Sequence, residues 1–295
     1  MREYFVEPEV TRAAGLFFIV TSLIGLYFNL CSFSHFHRQS KSSFSLLCLS
    51  KCTSNSLILL VYLLFDGPSA LMCHELPRFL NKMLNEAATY GVYFQGPLVQ
   101  FFITINRLLV VWSMSPRESP YSRHATLGAL AIGWTLSLFI TLVRLPGDCQ
   151  LRFDIEVLSW ISGGCDSSLS DNVFLAVNVL AFLSMSINLV VALKILLLTK
   201  NVAVSMKSAQ NRRKSRIRLF IQSCFQDSIY VIDCLNSIYL KSLVDNDIYH
   251  FLMTTGSNMV VQAADGFVMY VFNYWRHHRK AVSSSPVNIS VGKAK

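Results

Sequence analysis

The stretch that decides the fold is Tyr90–Trp112, YGVYFQGPLVQFFITINRLLVVW. It is long enough to cross a bilayer as a helix, because about 20 apolar residues span the hydrocarbon core. Its single cation, Arg107, follows Asn106 near the C-terminal end. Inserting a guanidinium into a hydrophobic span of the membrane costs at least about 2.5 kcal/mol of free energy. Arg107 therefore either has a function or extends to the interface. We interpret this stretch as the third of seven membrane helices.

The composition of the whole chain is typical of a membrane protein. Of its 295 residues, 53% are apolar and only 15% are charged, whereas soluble domains carry about 25% charged residues. Seven helices of about 20 residues with short connections use nearly the whole length, which leaves no room for a separate soluble domain. We therefore expect an all-α integral membrane protein, a bundle of seven transmembrane helices.

Apolar runs separated by polar or proline-containing connections predict the seven helices. The first run is too long for the core of a secretory signal, so we expect it to be retained. The predicted helices are about 13–33, 44–65, 82–112, 125–145, 173–198, 219–240 and 249–272. They lie in a helical domain of residues 13–274, between an N-terminal segment of residues 1–12 and a tail of residues 275–295. Residues 66–80 are expected to form the first loop on the far side.

Lysine and arginine are distributed unevenly among the connections. With the N-terminus outside, the segments facing the cytoplasm hold 19 of the 26 cations, Lys51 among them. The other side holds 13 of the 17 acidic residues, including Asp66 and Glu86. The positive-inside rule then predicts an extracellular N-terminus and a cytoplasmic C-terminus. The net charge of +9 is thus mainly a topology signal, and we expect a lipid membrane but no nucleic acid as a partner.

Polar residues recur inside the predicted helices, most densely in the sixth and seventh. At steps of three and four residues they share one helical face, which must point into the bundle because lipid cannot satisfy polar groups. We expect an outer group to line a ligand cavity and an inner group to form a hydrated network. The outer group is Tyr230, Asp233 and Asn258, and the inner group is Asn29, Asn55, Asp227, Gln262 and Asp265. The alternative is interhelical hydrogen bonding without a ligand role, worth about 0.6 kcal/mol per contact.

Three cysteines fall on the predicted outer side, which is oxidising: Cys73, Cys149 and Cys165. Three thiols allow one disulfide in three pairings. The stretch LRFDIEVLSWI between Cys149 and Cys165 has the apolar and β-branched content of a hairpin. Because the two ends of a hairpin meet, this favours a bond between Cys149 and Cys165. The rival bond joins Cys73 to the second outer loop. Either bond would order a lid over a cavity.

Two segments carry motifs of a known family. The run FSLLCLSKCTSNSLILL (Phe44–Leu60) holds Cys48 and Ser50 at the centre of a helix-two signature. The run ITINRLLVVW (Ile103–Trp112) ends helix three with Asn-Arg where an acidic residue usually precedes the arginine, and Trp134 follows in helix four. In this order and spacing the segments resemble the nematode serpentine chemoreceptors, which are G-protein-coupled receptors, and the srx class most closely.

The resemblance extends from about residue 15 to residue 274 and implies a function. It implies a small-molecule or pheromone-like ligand bound between the helices and a heterotrimeric G protein engaged through Asn106 and Arg107. It also implies the plasma membrane as location, a sensory cilium being one such membrane, and it favours the bond between Cys149 and Cys165. No cofactor and no metal are implied. Asp265-Gly266 stands where rhodopsin-like receptors carry Asn-Pro, so their switch residues are not transferred to this chain.

Other functional classes fit the sequence less well. All seven histidines lie in or beside predicted loops, and the seventh helix has no lysine for a retinal Schiff base, so we expect neither a membrane zinc enzyme nor an opsin. No Gly-x-Ser-x-Gly motif is present. An ion-coupled transporter is the main alternative, because buried acids and the Gly96-Pro97 interruption would suit it, but helices one to three do not resemble helices five to seven. A receptor-like partner protein that does not couple to a G protein also stays open.

Overall fold

The computed structural model describes residues 6–39, 42–113, 120–144, 150–163, 168–200 and 207–274. Within these ranges the chain forms a bundle of seven helices with one two-stranded hairpin. The helices are α1 (Pro8–Arg38), α2 (Ser43–Met72), α3 (78–113), α4 (Pro120–Arg144), α5 (Ser168–Lys200), α6 (Lys207–Ile238) and α7 (247–274). The hairpin strands are β1 (Gln150–Asp154) and β2 (Ser159–Gly163), and a short 3-10 turn, Leu240–Ser242, precedes α7.

Most helices extend beyond the apolar runs that predict them. The largest difference concerns residues 66–80, which we expected to be a loop and which are mostly helical. A wide π turn, Tyr62–Asp66, ends the first part of α2, and Pro68 follows in the first turn of the next helical segment. Proline is tolerated there because the amides of a first helical turn have no intrahelical partner. The helix therefore continues to Met72, and Asp66 lies buried within it.

Similar π turns interrupt α3 at Ala87–Val92 and α7 at Leu252–Gly256. Each inserts one extra residue into the helical repeat and so rotates the face that the helix presents beyond it. Thr89, Tyr90 and Thr254 belong to these turns, and all three line the cavity described below. The π turns therefore help to set the outline of that cavity.

The distribution of side chains is the reverse of that in a soluble protein. Large apolar side chains on α4 and α5, such as Ile132, Phe139 and Leu189, are exposed, whereas polar groups fill the interior. In the described part of the chain, α1 to α5 contain segments long and apolar enough to cross a bilayer, and α6 and α7 carry more polar residues. Lipid-facing apolar surfaces around a polar interior are what a membrane bundle requires.

Small residues allow α1 and α2 to approach closely. A Cβ atom on Gly15 would overlap the backbone nitrogen of Leu71 and would lie 2.8 Å from the carbonyl oxygen of Gly67. Close backbone approach at small residues is a common way for membrane helices to pack, since no hydrophobic effect drives them together. The contact anchors the C-terminal part of α2 on α1.

The two strands pair in antiparallel register, with Phe153 opposite Trp160. The hairpin predicted for this stretch is thus confirmed. Leu158 at its turn has a φ of 50° and is fully buried.

Candidate functional site

The hairpin is fastened to the first turns of α3 by side-chain amides. Asn81 donates a hydrogen bond to the carbonyl oxygen of Phe153 (2.9 Å) and accepts one from its backbone nitrogen (3.0 Å). One helical turn later, Asn85 accepts a hydrogen bond from the indole nitrogen of Trp160 (2.9 Å). Because positions 81 and 85 share one face of α3, a single polar stripe holds both strands of the hairpin.

Apolar side chains of the hairpin enter the bundle. Phe153 and Leu158 are buried, and the ring of Phe153 meets the ring of Phe18 on α1 edge to face, with 5.6 Å between centroids. The backbone nitrogen of Val6 also donates to the carbonyl oxygen of Glu156 at 3.0 Å, which links the start of the described chain to the hairpin turn. The hairpin is therefore a lid whose inner face belongs to the core.

A cavity of about 390 Å³ lies between the lid and the helices. We call it the outer cavity. Its volume falls within the range of small-molecule sites, about 300–1,000 Å³. The lining residues used below are Tyr90 and Tyr93 from α3, Trp160 from the lid, Phe174 from α5, Asp233 from α6 and Asn258 from α7.

The three residues predicted to line a ligand cavity are placed differently. Asp233 and Asn258 line the outer cavity, whereas Tyr230 is absent from its described lining. Tyr230 lies one turn deeper in α6, where its ring packs over the ammonium group of Lys51 at 5.0 Å. A periodic pattern gives the face of a helix but not the depth at which a cavity ends, which is why the sequence grouped these residues.

Asp233 is held by two hydroxyl groups. The phenol of Tyr93 donates to one carboxylate oxygen at 2.6 Å, and the hydroxyl of Ser257 donates to the other at 2.7 Å. The side-chain amide of Asn236 donates to the Ser257 hydroxyl at 2.9 Å, so that this hydroxyl is oriented toward the acid. These bonds join α3, α6 and α7 at the floor of the outer cavity.

A second polar region lies deeper in the bundle and is centred on Asp265 of α7. The ammonium group of Lys51 on α2 lies 2.9 Å from one carboxylate oxygen, and neither side chain is exposed. Asn55 donates to Asp265 at 2.7 Å and Gln226 at 2.8 Å. Lys51 also donates to the side-chain oxygen of Gln100 on α3. We call this group and its hydrogen-bonded neighbours the inner network.

The inner network extends to α1 through Asn29. Its side-chain oxygen accepts from Asn55 at 3.2 Å, and its amide nitrogen donates to the carbonyl oxygens of Gly25 (2.9 Å) and Gln262 (3.2 Å). The side-chain amide of Gln262 is buried without a hydrogen-bond partner among the described residues. Gln262 therefore joins the network through its backbone.

Toward α5 the inner network continues through two hydroxyls and an acid. Gln100 donates to Ser223 of α6 at 3.2 Å, and Asn188 of α5 donates to Ser223, to Thr104 and to one carboxylate oxygen of Asp227. The other oxygen of Asp227 has no hydrogen-bond partner in the described part of the chain. In the described part of the chain, the five residues predicted to form an inner network therefore belong to one network, whose contacts reach every helix except α4.

The main residue that sequence reasoning missed is Lys51. We counted it among the cytoplasmic cations, and this was wrong, because it is fully buried against Asp265. A signal was present: Lys51 precedes Asn55 by four residues inside an apolar run, so the two share one face of α2.

Two acids that were counted with the outer side are buried inside helices. Asp66 is buried in α2, where it accepts from Asn85 at 3.3 Å. Glu86 is buried in α3 and accepts from the backbone nitrogen of Leu151 in the lid, also at 3.3 Å. The assignment of Asp66 to a loop was wrong because α2 continues beyond its apolar run. Glu86 falls within the predicted third helix, and counting it with the outer acids was wrong because it is buried.

Arg107 lies near the opposite end of α3 from the lid and is only 7% exposed. Its guanidinium packs over the ring of Phe44 at 5.4 Å, and none of its three nitrogens has a hydrogen-bond partner among the described residues. Asn106 beside it is partly buried. The described part of the chain thus gives Arg107 no carboxylate partner, in line with the missing acid before it in the sequence.

Two residues of the family-like motifs contact each other. The indole nitrogen of Trp134 on α4 donates to the hydroxyl of Ser50 on α2 at 2.9 Å. This bond joins α4, which the inner network does not reach, to the centre of the bundle. The resemblance therefore rests partly on residues that pack helices together.

The predicted disulfide between Cys149 and Cys165 lies outside the described residues. Cys73 is described, at the end of α2, with its sulfur 3.7 Å from the carbonyl oxygen of Pro8. The pairing stays a prediction.

Comparisons with known proteins agree on one class. Residues 19–273 match the model of the family described as serpentine type seven-transmembrane G-protein-coupled chemoreceptor Srx. A crystal structure of squid rhodopsin superposes with a TM-score of 0.72 over 96% of this chain and 82% of that chain, at 14% sequence identity, which shows likeness of fold alone. A search of curated protein sequences finds no match.

Proposed function

The chain belongs to the serpentine Srx family of seven-transmembrane chemoreceptors, and we propose that it binds a small molecule in the outer cavity and activates a heterotrimeric G protein. One observation carries this proposal: α6 and α7 each contribute to both polar regions. Asp233 and Asn258 line the outer cavity, while Gln226 and Asp265 of the same two helices meet in the inner network. A ligand that moves either helix in the cavity would therefore also disturb the network.

We propose that the lid faces the outside and that Arg107 faces the cytoplasm. The 22 residue steps from Asn85 to Arg107 span about 33 Å of helix, close to the thickness of the hydrocarbon core. This orientation follows the positive-inside rule and makes residues 1–12 extracellular and residues 275–295 cytoplasmic. The plasma membrane, including that of a sensory cilium, is the location that suits a receptor for external compounds.

In the proposed mechanism the inner network favours the resting arrangement of the bundle. A ligand shifts the equilibrium only by its difference in affinity for the two arrangements. Contacts of the ligand with Asp233 and Asn258 would supply that difference. The movement of α6 and α7 would then open the cytoplasmic end. There the nitrogens of Arg107, which have no hydrogen-bond partner among the described residues, would donate to a carbonyl or carboxylate of the G protein.

The experiment that tests this proposal is guanine-nucleotide exchange on co-expressed Gα subunits in membranes containing the chain, with and without a panel of volatile and water-soluble compounds. Arg107→Ala is the test variant. Arg78→Ala is its matched control, because Arg78 lies at the other end of the same helix and is exposed. Each variant is normalised to its amount in the membrane.

We expect a compound that stimulates exchange, loss of that stimulation in Arg107→Ala, and its retention in Arg78→Ala. Stimulation that survives Arg107→Ala would remove the arginine from the mechanism. A compound that binds without exchange on any Gα subunit would favour a receptor-like protein that does not couple.

A further inference from the structure

The outer cavity contains an acid, Asp233, that has no cationic partner among the described residues. Among the described residues that line the cavity, Asp233 alone is acidic, and its side chain is only 1% exposed. Hydroxyl groups of Tyr93 and Ser257 donate to its two oxygens. In the described part of the chain, no lysine, arginine or histidine nitrogen lies within 4.0 Å of it.

Asp265 in the same bundle differs from Asp233 because a cation balances its charge. It has amide donors from Asn55 and Gln226, and it also has the ammonium group of Lys51. Asp233 has only the donors. Hydroxyl donors stabilise a carboxylate but cancel none of its charge, and an uncompensated charge in an interior of low dielectric constant is unfavourable. Each oxygen of Asp233 has a second acceptor site, so the carboxylate can receive another donor from the cavity.

The walls of the outer cavity suit a cation with an apolar body. Tyr90 and Phe174 lie edge to face with 5.7 Å between ring centroids, and both line the cavity together with Trp160. The indole nitrogen of Trp160 is already bonded to Asn85, which leaves its ring as the contact surface. Aromatic faces attract ammonium groups, and the attraction grows when water is excluded.

Positive charge lies at the rim of the cavity. Lys241, on the 3-10 turn, belongs to the lining and is exposed to solvent. Solvent weakens the repulsion between an exposed lysine and a ligand ammonium group placed deep in the cavity. The same lysine could meet a carboxylate if the ligand carried one. The cavity is thus positive at its rim, at Lys241, and negative at its floor, at Asp233.

Given the receptor function proposed above, we propose that the ligand of the outer cavity is a small organic amine, whose ammonium group pairs with Asp233 at the floor and whose apolar body packs against Tyr90, Trp160 and Phe174. The amine belongs either to a simple arylalkylamine or to an amino acid whose carboxylate reaches Lys241. Both sources share the contact with Asp233.

The test is a thermal unfolding assay of the purified full chain in lipid nanodiscs without G protein. The ammonium probes are 2-phenylethylamine, phenylalanine and choline. The neutral control is 2-phenylethanol, which has nearly the same shape as the first probe. The variant is Asp233→Asn, with Ser228→Ala as its control in the same helix, because the described hydrogen bond of Ser228 lies within α6 and Ser228 is not part of the described cavity lining.

We expect at least one ammonium probe to raise the unfolding temperature saturably, as a ligand of the folded state must, and 2-phenylethanol to raise it far less. Asp233→Asn should weaken binding of the probe by about thirtyfold or more, the loss typical of one partner of a buried charged pair. Ser228→Ala should retain it. Stabilisation by phenylalanine that Lys241→Ala removes would identify the amino-acid source.

Stabilisation by 2-phenylethanol equal to that by 2-phenylethylamine overturns the proposal. This comparison uses only the unchanged chain, so it does not depend on whether a variant folds. Stabilisation by none of the three ammonium probes, or binding unchanged in Asp233→Asn, also overturns it. Failure of the receptor function itself has a different signature. An amine that binds through Asp233 without nucleotide exchange contradicts only G-protein activation, whereas exchange driven solely by neutral compounds contradicts only the amine.

Discussion

Lys51 of α2 and Asp265 of α7 form an ion pair in the interior of the bundle, with 2.9 Å between the ammonium nitrogen and the carboxylate oxygen and no exposure of either side chain. Amides of Asn55 and Gln226 complete the contacts of the acid. A buried pair is stable only when its remaining hydrogen-bonding capacity is filled in this way. The pair therefore joins helices two and seven at the point where the inner network converges.

Removing one partner of this pair should destabilise the bundle. Lys51→Met leaves Asp265 without a counter-charge, and we expect it to lower the free energy of unfolding by about 3–5 kcal/mol. The double variant Lys51→Met with Asp265→Asn should recover most of that loss, because no unpaired charge remains. Thermal unfolding in nanodiscs measures both, with the exposed Lys241→Met as control. A Lys51→Met protein as stable as the unchanged chain would show that the pair does not hold these helices.

The hydrogen bond from Gln226 to Asp265, at 2.8 Å, is a direct link between α6 and α7. If the inner network favours the resting arrangement, Gln226→Leu should raise nucleotide exchange in the absence of ligand several-fold. Ser228→Ala is the control on the same helix, since among the described residues the hydroxyl of Ser228 bonds only to the carbonyl oxygen of Cys224 within α6. Unchanged or reduced basal exchange in Gln226→Leu, at equal receptor amount, would contradict a restraining network.

The lid depends on Asn81, which makes two hydrogen bonds to the backbone of Phe153. Asn81→Ala leaves two buried backbone groups without partners and should weaken docking of the lid by about 1–3 kcal/mol. Hydrogen exchange of the amides in residues 150–163 should accelerate, while that of α5 should not change. Asn178→Ala is the control, because in the described part of the chain this half-buried asparagine bonds only to the carbonyl oxygen of Phe174 in its own helix. If exchange in the lid is the same in Asn81→Ala, the amide contacts do not fix it.

The predicted disulfide can be tested by peptide mapping under non-reducing conditions. We expect one linked pair of peptides, containing Cys149 and Cys165, which separates on reduction. The hairpin between them brings the two ends of this stretch together, since Gln150 pairs with Gly163. A linked peptide containing Cys73 would favour the rival bond instead.

The class of fold can be predicted from the sequence because each membrane-spanning helix is recognised from one continuous run of residues. A helix that crosses it must be apolar over about 20 residues, and runs such as Tyr90–Trp112 satisfy this without reference to the rest of the chain. The hairpin could be predicted for the same reason, since its sequence pattern is also local. The family match and the bundle confirm these predictions.

The sites are harder to predict because they depend on partners that are distant in sequence. Nothing local tells whether Lys51 extends to the interface or pairs with an acid of another helix, and the answer requires Asp265, five helices later. The depth of a residue along its helix is equally hard to predict. Asp233 lines the outer cavity, whereas Tyr230, one turn away, packs over Lys51. Periodicity assigns both residues to the interior but cannot tell them apart.

The central claim is that a small molecule in the outer cavity drives G-protein activation, and one measurement tests it most directly. It compares compound-stimulated guanine-nucleotide exchange for the unchanged chain and for Ser237→Trp, which places a large side chain on the cavity wall while leaving Arg107 intact. We predict that a stimulating compound exists, that Ser237→Trp abolishes its effect, and that basal exchange is unaltered. Stimulation undiminished in Ser237→Trp, or no stimulation by any compound of a broad panel on any Gα subunit, would contradict the account.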